Sequence, residues 1–246
     1  MLLIAAALEE ELKTGLALCR QTQRISHGKI SAWQAERDSK KVAFLKSGVG
    51  PRRAAAALEE ALQVISCSHI LVIGYAGALD PELKLGDLVV AERALAFSLD
   101  EIDHDWDHIR LHDTFELADC EGLVKTAKSA GLPVCRGDVM SSPYVLGETV
   151  HKRILFDRFH ASIVDMETAA LARVAASGSV PLSCIRVVSD EAADSFLAPF
   201  SYDPAARFSS RAKKLASAGV GKIYRKWKAN TSIARKNLRV FLEGYL

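Results

Sequence analysis

Three groups of carboxylates stand where apolar runs end. Glu9, Glu10 and Glu11 follow "LLIAAAL", Asp165 and Glu167 sit in "IVDMETAAL", and Asp190 closes "IRVVSD". A carboxyl group can accept hydrogen bonds from two neighbouring hydroxyls, take a proton from water, or deliver one to a leaving group. Hydrolysing a ribosyl–base bond demands all three: a base for the water, a proton for the departing base, and a grip on the sugar. Each position also has a plain structural use. Glu11 could favour the dipole of a helix beginning at Glu9, acids are common at helix starts, and Ser-Asp pairs often cap helices. Of the two acids in "DMET", Asp165 reads as the capping or structural member and Glu167 as the one facing a ligand.

Other chemistries find less support. Neither a P-loop nor a GxGxxG run occurs, so the turns "GVGP" and "GYAG" are the wrong kind for a phosphate or dinucleotide cradle. His104, His108 and His112 recur at steps of four and on a helix would share a metal-binding face. The surrounding acids and irregular pattern read instead as a polar surface loop. Five scattered cysteines with no CxxC pair indicate reduced thiols in a cytoplasmic protein, without a zinc or disulfide framework.

The elements that must position these groups alternate. Residues 2–8 form a short apolar run suited to a strand buried on both faces, followed by helical spacing from Glu9 to about Cys19 that polar residues close. Residues 29–37 and 41–48 read as a hairpin, and Pro51 suits the first position of a helix over 51–62. Further strands fall at 69–77, 86–95, 135–142, "SIVDM" and 182–190. Helices fall at 120–131, 147–159 and "ETAALARVAASG", and residues 97–116 are polar and irregular. The expectation is α/β: a single domain with a mixed, mostly parallel central sheet flanked by helices. It spans 1–246, with a basic helical C-terminal extension at about 205–246. In such sheets ligands sit beyond the carboxyl ends of the strands. That rule selects Glu9–Glu11, Gly48–Gly50, Gly74–Gly77, Ser141–Leu146, Asp165–Glu167 and Ser189–Asp190.

Composition is that of an ordinary globular protein, with 25% charged residues. No apolar run reaches the roughly 18 residues that span a bilayer, and the acidic turn at Glu9 argues against a signal peptide. The net charge of +2 hides an asymmetry, since residues 201–246 hold eleven Lys/Arg against two Asp/Glu. From Ile223 onward, Trp227, Ala234, Leu238, Phe241, Leu242 and Tyr245 mark one face of a helix. That face either packs on the acidic body or lies on anionic lipid.

"AALEEEL", "SGVGPRRAA", "GYAGALDPELKLGDLVVAE", "VDMETAALA" and "IRVVSDEA" together resemble, in order and spacing, the nucleoside phosphorylase superfamily of purine and uridine phosphorylases. The similarity runs to about Asp190 and is closest to its 5′-methylthioadenosine/S-adenosylhomocysteine nucleosidase branch. The resemblance implies that Glu11 is the general base on water and that Arg186 positions that water. Glu167 would hold the ribose 2′- and 3′-hydroxyls, with Met166 against the sugar. Asp190 would protonate N7 of the purine, oriented by Ser189. Ala76 and Gly77 would let the sheet end approach the nucleoside, and the Tyr144–Leu146 stretch, Val145 included, would stack on the base. It further implies a purine nucleoside substrate, no cofactor, no metal, no nucleic acid, and a homodimer or higher homo-oligomer.

Three departures leave the substrate open. Tyr75 stands where those enzymes have serine, "DMET" replaces "EMEA", and residues 136–148 lack "SGDAF". The rival reading is a phosphorylase using phosphate as co-substrate, with Arg52 and Arg53 as candidate anion ligands. The hopanoid-associated phosphorylase-like group and futalosine hydrolase are further relatives of this pattern. A non-catalytic nucleoside-binding protein is the alternative outside enzymes.

Overall fold

The computed structural model describes residues 1–98, 106, 109–195 and 218–246. In chain order the elements are β1 (Leu2–Ala6), α1 (Glu9–Leu16), β2 (Arg20–Ile25), β3 (Ser31–Arg37), β4 (Lys40–Lys46), α2 (Pro51–Leu62), β5 (His69–Ala78), β6 (Leu88–Ser98) and β7 (Arg110–Glu116). They continue with α3 (Cys120–Ser129), β8 (Val134–Ser141), α4 (Thr149–Phe159), β9 (Ile163–Asp165), α5 (Thr168–Ser177), β10 (Leu182–Asp190) and α6 (Ala218–Tyr245).

The sheet is mixed. Parallel pairings join β1 to β4 and β5, β5 to β10, β6 to β8, and β8 to β9. Hairpins and edges supply the antiparallel ones. Part of it closes on itself, because β10 pairs with both β6 and β5, making a ring of β10, β6, β8, β9 and β5. Strand β5 organises the molecule. Along one side it carries β10 from Ile70 to Gly77; along the other, β1 covers it only to Ile73, and β9 takes over at Gly77. Between those two neighbours the sheet opens at Gly74–Ala76.

Apolar side chains alternate across the strands as the period of two requires. Leu3, Ala5, Ile70 and Val72 join Ala54 and Leu58 of α2 and the alanine face of α5 in one core layer. Ile4, Ala6, Leu71 and Ile73 join Leu12 of α1, Leu123 of α3 and four residues of α6 in the other.

Two strands lie where the sequence pattern indicates none. Arg20–Ile25 carries the polar sequence "RQTQRI" because β2 is an edge strand, held by backbone pairing to β3 with the side chains of Arg20 to Arg24 exposed and Ile25 partly buried. Arg110–Glu116 pairs with β6 in the same way. His112 is therefore on a strand, its ring 3.1 Å from Asp113, while His104 and His108 lie outside the described residues.

The apolar face of α6 is turned to the body: Ala234, Leu238, Phe241 and Leu242 are fully buried, and Phe241 stacks on Tyr245. No helix among the described residues is long and apolar enough to cross a membrane. Phe241→Ala is expected to lower stability by about 3–5 kcal/mol, the cost of truncating a buried aromatic, measured by urea unfolding.

Candidate active site

The opening in the sheet leaves backbone groups of β5 without strand partners, and buried polar backbone must be satisfied. Glu11 and Arg186 do this. Glu11, in the first turn of α1, accepts the Tyr75 N–H on Oε1 at 3.0 Å and the Leu8 N–H on Oε2 at 2.8 Å. The second bond closes the start of its own helix, so the structural use of this acid coexists with its place in the site. Arg186 Nη1 donates to the Ile73 carbonyl at 3.3 Å.

Arg186 reaches the opening by crossing β5. It stands opposite Gly74 in the β5–β10 register. A Cβ on Gly74 would lie 2.3 Å from Arg186 Nη1 and 2.8 Å from Glu11 Oε1, and the backbone there has φ +151°. Only glycine meets both conditions. Beyond it, Arg186 Nη2 pairs with Asp165, donates to Thr168 Oγ1 at 3.0 Å, and lies 3.8 Å from Glu167 Oε2. Arg186 Nε is buried without a hydrogen-bond partner among the described residues, a donor that an oxygen in the opening would satisfy.

The "DMET" turn divides its acids. Asp165 accepts from Ser141 Oγ at 2.7 Å, from the Thr168 N–H at 3.1 Å, from the Thr168 hydroxyl and from Arg186. It is fully engaged in holding the start of α5. Glu167 accepts the Gly50 N–H at 2.8 Å, tying the "GVGP" turn to the site. Met166 is buried between them.

Three carboxylates therefore share one guanidinium in a buried place. Burial pushes the Glu11 carboxyl up to about 7, against the pull of Arg186 and of its two N–H donors. Glu167 is also pushed up, by burial first and then by the Asp165 charge beside it. Burial works against the Arg186 charge, but Asp165 and the other anions around it outweigh that and hold it protonated.

Asp190 stands at the far end of the opening. Its Oδ2 would meet a Cβ on Gly77 at 2.8 Å, three residues along β5 from Gly74, or roughly 10 Å at about 3.3 Å per residue. Ser189 Oγ bonds Asp190 Oδ1 at 2.9 Å and faces the Ala76 carbonyl at 3.2 Å. Asn230 of α6 donates to the Ser189 carbonyl at 3.0 Å, so the C-terminal helix fixes this strand end.

Tyr75 contributes its backbone, while its phenol packs in the layer of α1 and α6 and its hydroxyl is buried without a partner among the described residues. Tyr144 meets Trp106 edge-on at 6.4 Å, and Val145 beside it is 40% exposed. Arg52 and Arg53, the candidate anion ligands, are exposed on α2.

Two residues escaped the sequence reading. Thr168 is an unremarked member of "DMET". Lys152 is fully buried on α4 with Nζ 2.5 Å from Asp190 Oδ2. Its one signal is a place one turn before the buried Leu155, on the inward stripe of α4, which a lysine with a buried stem and solvated head would share.

A family model described as the phosphorylase superfamily matches residues 2–223. Among solved structures, the 5′-methylthioadenosine/S-adenosylhomocysteine nucleosidase of Campylobacter jejuni is similar at TM-score 0.70 and 19% identity, covering 96% of this chain and 97% of that one. The Neisseria meningitidis nucleosidase bound to methylthio-immucillin-A has TM-score 0.70 and 21% identity, covering 100% and 99%. Futalosine hydrolase of Helicobacter pylori has TM-score 0.70 and 21% identity, covering 98% and 96%. At these identities the structures establish a shared fold.

Asp165→Ala leaves Arg186 short of its nearest counter-charge and is expected to cost about 3–5 kcal/mol; Gly74→Ala, which blocks the path of Arg186, should lower the melting temperature as well. Both are read by thermal unfolding. The raised Glu11 carboxyl means that the folded state binds more protons than the unfolded one between pH 4.5 and about 7. Its stabilising contribution is full below that window and is lost as pH rises through it. Urea unfolding from pH 4.5 to 8 should show this decline, with a shallower slope in Glu11→Gln.

Proposed function

The chain belongs to the phosphorylase superfamily, and from that membership and the charge of its site we propose that it hydrolyses the N-glycosidic bond of a purine nucleoside. Its family and its structural relatives cleave glycosidic bonds, and it is an enzyme of that kind. The observation that carries the hydrolytic reading is the cluster of three buried carboxyl groups, Glu11, Glu167 and Asp165, around the Arg186 guanidinium. Such a site suits a ribosyl group that gains positive charge as its bond breaks. It is a poor host for phosphate, because Arg186, the one buried guanidinium among the described residues, already faces three carboxyl groups.

In this proposal Glu11 takes a proton from water as the oxygen attacks C1′, and the unpartnered Nε of Arg186 holds that oxygen. Glu167 accepts the ribose 2′- and 3′-hydroxyls, with Met166 against the sugar. The C1′–N9 electron pair passes to the base, and Asp190, aligned by Ser189, delivers a proton to N7 above Ala76 and Gly77. Glu11 and Glu167 both neighbour Arg186 at the Gly74 opening, and Asp190 lies at Gly77 just beyond it, which supports this division of labour. Tyr75 contributes its N–H to Glu11, and Tyr144 and Val145 border the base. No cofactor enters the reaction. A homodimer belongs to the same proposal, supported by the exposed Val145, which follows Tyr144, and the exposed Val150 of α4.

The test is incubation with methylthioadenosine, adenosylhomocysteine, adenosine and inosine, with and without phosphate, following free base. Phosphate-independent release of base is expected; release that requires phosphate and yields ribose 1-phosphate makes the protein a phosphorylase, and no release leaves binding alone. Activity should rise with pH through about 7 as Glu11 ionises. Glu11→Gln and Asp190→Asn should each lower kcat about 100-fold or more, the scale of general acid–base catalysis, with the fold unchanged by circular dichroism.

A further inference from the structure

Lys152 takes no part in the reaction as written above, yet it is fully buried and in contact with Asp190. Its Nζ lies 2.5 Å from Asp190 Oδ2, 2.9 Å from the Glu191 carbonyl and 3.3 Å from the Asp194 carbonyl. Those three acceptors match the three protons of an ammonium group. Two carbonyls at the end of β10 could be satisfied by a neutral donor. A buried positive charge is costly unless an anion answers it, and Asp190 is that anion. The same Oδ2 also faces the floor of the site at Gly77, so one oxygen looks toward both the lysine and the place proposed for the purine.

We propose that Lys152 and Asp190 form a single proton-donating unit for the departing base, with Lys152 as the positioning residue that supplies Asp190. This rests on the reading of Asp190 as the donor to N7. The Lys152 ammonium gives one proton to Asp190 Oδ2, and Asp190 passes a proton to N7 while the C1′–N9 electron pair moves into the base. The unit ends as a carboxylate beside a neutral amine. Lys152 regains its proton from solvent after the base leaves.

The test compares wild type, Lys152→Met and Lys152→Arg on a purine nucleoside and on 4-nitrophenyl β-D-riboside, whose nitrophenolate departs unprotonated. Lys152→Met is expected to lose about 100-fold or more in kcat on the purine nucleoside, with KM within about threefold, and to keep near-wild-type turnover of the nitrophenyl riboside. Lys152→Arg keeps the charge but holds its proton, and should show the same split; it also serves if Lys152→Met does not fold. Equal losses on both substrates would reduce Lys152 to a structural tie and overturn the inference. Wild-type kcat on the purine nucleoside in either variant would make Asp190 the sole donor and overturn it too. A wild-type protein that releases no base from any purine nucleoside sinks the nucleosidase reading itself, and this inference with it, a result distinct from any behaviour of the variants.

Discussion

A guanidinium placed inside a sheet has to be answered by anions, and much of the site follows from how this chain answers Arg186. The strand pattern creates the need. Because β1 stops at Ile73 of β5 and β9 starts at Gly77, backbone groups between them face an interior gap. Arg186 and Glu11 fill that gap, and both depend on the missing side chain of Gly74. Asp165 then serves two masters, the guanidinium and the first turn of α5. Its neighbour Glu167, two residues on, is left with one N–H donor from Gly50 and a more distant guanidinium.

The charged groups fall into two systems with different balances. Around Arg186 the carboxylates are in excess, and burial raises Glu11 and Glu167 so that neither is a strongly held anion at neutral pH. Around Asp190 the balance is even, with one ammonium to one carboxylate. A reaction that places positive charge on a sugar and a proton on a base is served by that difference. In the proposed reaction the first system would favour cationic character near the Gly74 end and the second would supply the proton near the Gly77 end.

The basic C-terminal helix has a structural part in this. Its apolar face closes the core layer that contains Leu12 of α1, the helix that presents Glu11. Its Asn230 fixes the Ser189 carbonyl, and Lys226 pairs with Asp194, whose carbonyl is one of the acceptors of Lys152. Both ends of the opening therefore rest on α6. Its basic residues Arg225, Lys226, Lys228, Arg235, Lys236 and Arg239 are exposed.

The sequence by itself determined the alternation of strands and helices, the hairpin of β3 and β4, and the apolar face of α6, because apolar periodicity records which side of each element avoids water. It also marked the strand ends where carboxylates gather, since acids at the close of apolar runs are conspicuous. It was silent on β2 and β7, whose pairing uses backbone groups that every residue shares. Only the tertiary structure decided that Gly74 is a passage for Arg186, that Tyr75 offers its N–H and turns its phenol away, and that Lys152 reaches Asp190 across 38 positions of chain. Each of these is a contact between elements set by strand register and helix placement. A glycine, a tyrosine and a lysine look the same in a sequence whatever lies across the sheet from them.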